Sequence, residues 1–184
     1  MRESKVEKRY AKSLIDLAIE QNSLEETFND MKFVKELCAQ NKDLVLMLKS
    51  PIIKTDKKQA ILEAILEGKV NKISFGFIQI ITRKKREYQL PEIANEFIEQ
   101  YKIHHKIVTA FVTTASPLDG ASRSSVMELV KAMYGKVEMV EMVDSAIIGG
   151  IIVKVGDKQI DASVSRKFAD LKQEFSKNTY LAEI

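Results

Sequence analysis

The chain has 184 residues, of which 45% are hydrophobic and 30% are charged, and its formal net charge is +3. This apolar content is ample for a packed core in one mid-sized domain or two small ones, which excludes a wholly disordered chain. Seven glycines and three prolines are few for an all-β fold with many tight turns, and no apolar run reaches the ~20 residues that a membrane-spanning helix needs.

Every strong apolar pattern before about residue 105 repeats with the period of an α-helix. Ser50-Pro51 forces an extended turn, Thr55 is suited to cap the helix that follows, and Gly68 is suited to end it. Pro91 is favoured in the first turn of the last helix in this part. The sequence predicts six helices joined by short links, over residues 5–21, 24–40, 43–49, 56–67, 71–86 and 91–103.

After residue 105 the pattern changes to short segments rich in β-branched and aromatic residues. One helix is expected over residues 122–134, where Gly135 ends it, and another from Ser163 to about residue 177. Gly156-Asp157 has the composition of a hairpin turn. Strands are predicted over residues 107–115, 136–143, 146–155 and 158–162.

These patterns predict an α+β protein with two domains. Residues 1–105 are expected to form a six-helix bundle, and residues 106–184 a small α/β domain with a four-stranded sheet. The pair Gly149-Gly150 lies in one of the predicted strands. We expect the missing side chains to let a neighbouring helix approach the sheet closely, and a hinge between two halves of the strand is the alternative.

The N-terminus is basic and helical, as in a transit peptide, but it contains Glu3, Glu7 and Asp16, and transit peptides avoid acidic residues. Neither an apolar signal region nor a small-residue cleavage site follows, so we expect the mature protein to begin here. Cys38 has no second cysteine to pair with and lies on an apolar helical stripe. We expect it to be a small core residue in a reducing compartment.

No motif for catalysis or cofactor binding is present: the sequence lacks GxxxxGK[ST], GxGxxG and GxSxG. His104 and His105 are the only histidines and are adjacent, so on a helix they point about 100° apart, and we interpret them as solvated residues at a helix end rather than metal ligands. Asp144, Asp157 and Asp161 lie at predicted turns or strand ends, where short acids commonly cap backbone N–H groups. We therefore predict no catalytic residue, no cofactor and no metal.

The run Arg83-Lys84-Lys85-Arg86 is the strongest indication of a nucleic-acid partner. The interpretation that we favour is a solvated basic turn at the end of a helix, where cations meet the negative end of the helix dipole. A small protein associated with RNA or the ribosome is one alternative function. A hydrolase with an unrecognised site is another, although the sequence offers no nucleophile and base in register.

Two helices have wider apolar faces than a bundle requires. The apolar residues of the first helix cover about 200° and those of the fifth about 220°, whereas the helix over residues 56–67 confines its apolar residues to about 140°. The surplus is explained equally by a central position in the bundle or by an exposed docking groove. Both explanations favour a binding function over catalysis.

Two segments resemble a known family, the delta subunit of F-type ATP synthases, which is the counterpart of the mitochondrial oligomycin-sensitivity-conferring protein. The segment KRYAKSLIDLAIEQN over residues 8–22 resembles its opening helix, and residues 143–171 resemble its C-terminal signature. Arg86 and Leu90-Pro91 fit the joint between its fifth and sixth helices, whereas Ala162 stands where glycine is usual. The signature positions that match are Asp144, Gly150, Gly156, Asp157, Asp161 and Ser163.

The resemblance implies a non-catalytic stator subunit of the proton-translocating ATP synthase, held as one copy in the complex at the cytoplasmic face of the cell membrane. It implies that the N-terminal bundle binds N-terminal helices of the α subunits in a groove between its first and fifth helices. It also implies that the C-terminal domain binds the b subunits of the peripheral stalk. Neither a nucleic acid nor a cofactor is expected to bind. We expect Leu14→Glu to abolish docking while leaving the fold largely intact. The residues expected to contact the α subunit are Tyr10, Ser13, Leu14, Leu17, Phe75, Ile78, Gln79 and Thr82.

Overall fold

The computed structural model describes residues 5–176, which form two compact units divided between His105 and Lys106. In the first unit a 3-10 turn, Glu87–Gln89, leads into the last helix. The bounds of the six α-helices that precede the first strand are α1 Lys5–Glu20, α2 Leu24–Gln40, α3 Lys42–Lys49, α4 Thr55–Leu66, α5 Lys72–Arg83 and α6 Leu90–His104.

The core of the first unit is built around α6, which packs against both α1 and α2. Phe97, in the middle of α6, is fully buried. The buried residues of α6 recur every three or four positions and so form one face of the helix, as the apolar period predicts. They are Leu90, Ile93, Ala94, Phe97, Ile98 and Tyr101.

The fourth and fifth helices begin and end differently from the prediction in two places. Thr55 is the first residue of α4 rather than its cap, and the capping position is taken by Lys54, whose side chain makes no capping hydrogen bond. α5 ends at Arg83, three residues earlier than expected, because Lys85 adopts a left-handed conformation with φ +58°. The backbone N–H of Arg86 then donates to the carbonyl oxygen of Ile81 at 3.0 Å, which closes the helix end.

The second unit is a four-stranded mixed sheet with two helices, so the α+β class is confirmed. The strands lie in the order β2-β1-β3-β4. β1 and β2 are parallel and are connected by the crossover helix α7, whereas β3 is antiparallel to both β1 and β4. The bounds are β1 Val108–Thr114, α7 Gly120–Tyr134, β2 Val137–Val143, β3 Ile151–Val155, β4 Lys158–Asp161 and α8 Val164–Ser176.

The third strand is shorter than predicted. Residues Ser145–Ile147 form a 3-10 turn instead of its first half, and the side chain of Asp144 accepts a hydrogen bond from the N–H of Ala146 at 2.9 Å to start that turn. An unbroken run of apolar residues is compatible with a strand or with a buried turn, so the predicted strand was too long.

Gly149-Gly150 allows the chain that enters α8 to lie against the start of β3. A side-chain carbon on Gly149 would approach the Val164 side chain at 3.3 Å, and one on Gly150 would overlap the carbonyl oxygen of Ala162. Gly150 also has φ +79°, a conformation that L side chains rarely adopt. The glycine pair thus permits a close approach, but it lies before β3 rather than within it, and the nearest backbone is the link from β4 into α8 rather than a helix packed on the sheet.

Candidate docking groove

α1 and α5 lie side by side and leave a cleft of about 330 Å³ between them. Two apolar side chains on its rim are open to solvent: Leu17 of α1 is 38% exposed and Ile80 of α5 is 53% exposed. We call this surface the apolar cleft. It is lined by Leu17, Gln21, Lys72, Ile73, Gly76, Phe77 and Ile80.

A second cleft, of about 310 Å³, adjoins the first toward the N-terminus of α1. The Tyr10 ring packs edge-on against the Phe77 ring, with centroids 6.4 Å apart, so the two clefts meet at this pair. The guanidinium carbon of Arg86 lies 5.5 Å from the centroid of the Tyr10 ring, a cation–π contact. We call this surface the basic cleft, and the two clefts together the docking groove. The basic cleft is lined by Val6, Arg9, Tyr10, Ser13 and Arg86.

The wide apolar arc of α1 covers both a core-facing side and an exposed side that lines a groove. One side of the helix is core, since Ala11, Leu14, Ile15 and Ala18 are all buried. The neighbouring side lines the docking groove, because the groove residues of α1 recur every three or four positions and so share one face. A helix that serves a core and a groove at once needs an apolar face wider than the roughly 100° that packing alone requires.

Three of the eight predicted contact residues lie inside the first unit rather than on the groove surface. Leu14 is 0% exposed, Ile78 is 2% exposed, and Thr82 is buried with its hydroxyl donating to the carbonyl oxygen of Ile78 at 2.8 Å. The expectation that Leu14→Glu leaves the fold intact is therefore wrong, because the new carboxylate would have to be buried without a partner. Leu14 supports the groove from beneath.

Two more predicted residues, Phe75 and Gln79, are half-buried on α5 but line neither cleft. Residues two positions apart on a helix point about 200° away from each other. Phe75 therefore lies on the side of α5 opposite Ile73, which does line the apolar cleft. Of the predicted set, the structure brings together at the docking groove Tyr10, Ser13 and Leu17.

Several residues of the groove were not predicted from the sequence. Ile73, Phe77 and Ile80 belonged to the wide apolar arc of α5 but were not nominated as contacts, and Arg9 was not singled out. Gly76 offered a usable signal, because glycine in a helix interior costs roughly 1 kcal/mol relative to alanine. A side-chain carbon added at Gly76 would meet no atom within 4 Å, so the space in front of it is open.

The wall formed by α5 is fixed by a hydrogen-bond cluster at its N-terminus. Asn71 caps the helix by accepting from the N–H groups of Ile73 at 2.7 Å and Ser74 at 2.9 Å. The N–H of Asn71 in turn donates to Oδ2 of Asp30 on α2 at 2.9 Å, and its side-chain amide donates to the hydroxyl of Thr27 at 3.3 Å. Residues on α2 thereby help to fix the position of α5, although no α2 residue lines either cleft.

The basic run divides between two surfaces. Arg86 lines the basic cleft, whereas Arg83 and Lys85 line a different cavity of about 750 Å³ beside α3 and α4. The left-handed conformation of Lys85 produces this division by turning the chain at the end of α5. The four cations therefore do not form one continuous basic face of the kind that tracks a phosphate backbone.

The second unit has its own exposed apolar surface, on α8. Phe168, Leu171 and Phe175 are 60%, 47% and 86% exposed. With Val164 they follow the spacing i, i+4, i+7 and i+11, which places them within about 60° of one another on the helix. We call this surface the α8 face.

Two acidic residues of the predicted signature, Asp144 and Asp161, accept hydrogen bonds from backbone N–H groups, as short acids at turns do. Oδ1 of Asp161 accepts from the N–H of Ser163 at 3.0 Å, and hydrogen bonding with the side chain and then the backbone of Ser163 lowers the pKa of the Asp161 carboxyl. The hydroxyl of Ser163 accepts from the N–H of Arg166 at 3.2 Å in the first turn of α8. Gly156 has φ +56° in the hairpin turn that Asp157 completes. These interactions shape the turns around β3, β4 and α8 and supply no acid–base pair.

The remaining candidates for chemistry do not converge on a site. Within residues 5–176, no group of three or more His, Cys, Asp or Glu side chains could hold a metal ion. Cys38 is buried, and burial raises the pKa of its thiol to about 11, so it is not poised as a nucleophile. His105 lies at the end of α6 with Nε2 3.9 Å from Oε1 of Glu25, and its neighbour His104 is exposed.

None of the helices between residues 5 and 176 combines the length and the apolar character that a membrane crossing requires. The profile of the family described as "ATP synthase delta (OSCP) subunit" matches residues 6–175 of the chain.

Curated relatives match over their full length. A protein of Cytophaga hutchinsonii described as "ATP synthase subunit delta" is 39% identical over 176 residues, which cover 96% of this chain and 97% of that protein. A protein of Christiangramia forsetii with the same description is 36% identical over 186 residues, which cover 100% of this chain and 100% of that protein. A chain in the solved structure of the Toxoplasma gondii mitochondrial ATP synthase hexamer superimposes with a TM-score of 0.70 at 19% identity, over 94% of this chain and 98% of that one. This likeness confirms the fold.

Proposed function

The chain belongs to the ATP synthase delta (OSCP) family, and we propose that its first unit binds the N-terminal helix of an ATP synthase α subunit in the docking groove. Members of this family are non-catalytic subunits of the peripheral stalk of F-type ATP synthase, so the chain is a stator component and not itself an enzyme. Its task is mechanical, because the catalytic head would turn with the rotor unless the stalk held it still.

The observation that carries the proposal is the presence of exposed apolar side chains on both walls of one cleft. Leu17 and Ile80 face solvent on opposite sides of the apolar cleft, above the buried ring of Phe77. An amphipathic helix binds such a groove by laying its own apolar face into it. The groove face of α1 runs from Val6 to Gln21, about 22 Å at 1.5 Å per residue, which matches a partner helix of about 15 residues.

The proposal extends to the architecture of the stator. The six helices of the first unit act as one bundle, in residues 1–105, that caps the catalytic head. Slow dissociation is what a stator contact needs, and burial of an extended apolar helix face supplies it.

The second part of the proposal concerns residues 106–184, which we assign to the b subunits of the peripheral stalk. The α8 face supports this assignment, because a helix face that exposes two phenylalanines and a leucine is typical of a protein-binding surface. Through these contacts the chain is held, as one copy, at the cytoplasmic face of the cell membrane, with no nucleic acid among its partners.

The first part is tested by calorimetric titration of the full chain with a peptide of about 20 residues from the N-terminus of the α subunit, long enough to fill the groove. We expect one-to-one binding that persists at high salt, with a negative heat-capacity change. Leu17→Glu should abolish it. Leu46→Glu is the matched control, since Leu46 lies on α3 and is 66% exposed. Equal affinity for both variants would show that the peptide does not use the apolar cleft.

The second part is tested by binding of the full chain to the soluble C-terminal portion of the b subunits. Phe168→Glu should prevent binding, whereas Gln173→Glu should not, because Gln173 lies on the opposite side of α8. Both positions are exposed, so both variants should keep the circular dichroism spectrum of the unsubstituted chain. Binding by Phe168→Glu at unchanged affinity would remove the α8 face from the stalk interface.

A further inference from the structure

We infer that the basic cleft binds a carboxylate side chain on the same helix that occupies the apolar cleft, and that Arg9 and Arg86 select partners by this charge. The docking groove is therefore chemically divided along its length into a basic end and an apolar end. The inference rests on the proposed function, because it concerns the partner of the same groove.

Among the described residues, the basic cleft has donors for a carboxylate and no lining acid that neutralises them. Its five lining residues include two guanidinium groups and no aspartate or glutamate. Within residues 5–176, neither Arg9 nor Arg86 has a carboxylate within ion-pair distance. Guanidinium groups bind carboxylates through paired N–H donors, so a carboxylate from outside complements this cleft.

One of the two arginines is held in place before any partner arrives. The Arg86 guanidinium carbon lies 5.5 Å from the centroid of the Tyr10 ring, and the backbone of Arg86 is fixed by its hydrogen bond to Ile81. An arginine positioned in this way loses less side-chain entropy on binding than a free one. The Ser13 hydroxyl donates back to the carbonyl oxygen of Arg9 at 2.8 Å, and the two guanidinium groups are the charged donors of this cleft.

The arrangement sets a spacing on the partner helix. Tyr10 in the basic cleft and Leu17 in the apolar cleft are seven residues apart on one face of α1, which is about 10 Å along the helix axis. A partner helix that lies along α1 must therefore present a carboxylate and an apolar anchor about two turns apart on the same face. An apolar helix without a carboxylate would fill the apolar cleft but leave the guanidinium groups of the basic cleft without an anionic partner.

The test uses the full chain and the same α-subunit peptide, with Arg9→Glu as the variant and Lys12→Glu as the matched control. Both residues are exposed on α1 and both changes alter the net charge equally, but Lys12 lines neither cleft. We expect Arg9→Glu to weaken binding roughly tenfold at low salt, through repulsion between like charges, and Lys12→Glu to have little effect. The loss should shrink at high salt, where exposed charges are screened.

A charge exchange on the peptide makes the test specific. Each acidic residue of the peptide is replaced in turn by lysine, and one replacement is expected to weaken binding to the unsubstituted chain and to strengthen binding to Arg9→Glu. Equal affinity of the unsubstituted chain and Arg9→Glu for the original peptide overturns the role of the arginines and leaves the proposed function standing. Failure of the unsubstituted chain to bind the peptide overturns both. A binding defect of equal size in Lys12→Glu shows a general charge effect and also overturns the inference.

Discussion

The ammonium group of Lys58 on α4 lies 2.7 Å from Oε1 of Glu87, in the 3-10 turn before α6, and the two side chains are 5% and 6% exposed. The same ammonium group donates to the carbonyl oxygen of Leu48 at the end of α3, also at 2.7 Å. One buried cation thus joins three separate segments of the first unit. Oε2 of Glu87 is buried without a hydrogen-bond partner among the described residues, so Lys58 is the group that neutralises this carboxylate.

Removal of one partner of this ion pair should be strongly destabilising. We expect Lys58→Met to lower the free energy of unfolding by about 3–5 kcal/mol, because it leaves a buried carboxylate uncompensated. Glu87→Gln should also destabilise, and the double variant should cost less than the sum of the two. Urea unfolding of the three variants measures the coupling. Additivity within about 0.5 kcal/mol would mean that the two groups do not interact energetically.

Leu14 provides a test of the division between core and groove on α1. We expect Leu14→Ala to lower the free energy of unfolding by about 2–5 kcal/mol, because a fully buried leucine leaves a cavity when it is truncated. Leu17→Ala, three residues away and partly exposed, should cost much less stability while weakening the peptide complex. Thermal unfolding followed by circular dichroism separates the two. Equal losses of stability would contradict the assignment of Leu17 to the groove.

Gly76 should carry opposite effects on folding and on binding. We expect Gly76→Ala to raise the stability of the chain by up to about 1 kcal/mol, because alanine is favoured in helix interiors and the added carbon meets open space. The same carbon would project into the apolar cleft and keep a partner helix from approaching α5. Denaturant unfolding and peptide titration on one preparation measure both effects. An unchanged affinity would place the partner helix away from this part of α5.

Tyr101 should make the first unit sensitive to alkaline pH. Burial, together with a hydrogen bond of 2.7 Å from its phenol to Glu25, raises the pKa of Tyr101 from 10.0 to about 12. The unfolded chain therefore loses this proton before the folded chain does. This contribution to stability is fully present below about pH 10 and is lost as the pH rises to about 12. Urea unfolding at pH 9 and pH 11.5 should show a steeper loss for the unsubstituted chain than for Tyr101→Phe, and equal slopes would exclude this cause.

The helices were readily predicted because periodicity and capping residues reinforce one another. The helix predicted to begin at residue 71 begins at Lys72 with Asn71 as its cap, and α2 begins and ends as predicted. The errors arose where a single backbone conformation decided the outcome. Neither the left-handed Lys85, which ends α5, nor the left-handed Ile148, which precedes β3, belongs to a residue type that signals such a conformation.

The groove was harder to predict at the level of residues than at the level of helices. The surplus apolar width of α1 and α5 singled out the two helices that line the apolar cleft, but width does not tell which edge of the apolar arc faces solvent. Leu14 and Leu17 are the same residue type on the same helix, and only the packing of α1 within the first unit buries Leu14 and leaves Leu17 partly exposed. Arg86 was noted in the sequence but not predicted to line the groove, because its contact with Tyr10 depends on how the chain turns after α5.

The two walls of the docking groove come from opposite ends of the first unit's sequence. The α1 wall ends by Gln21, whereas the α5 wall starts at Lys72 and is held by Asp30 through Asn71. During synthesis, a helix that reached the emerging chain early would find only one wall, and a bond across 41 residues must close before the second is in position. The docking proposed above therefore requires a first unit that has already folded, because only then are both walls in position to hold a helix.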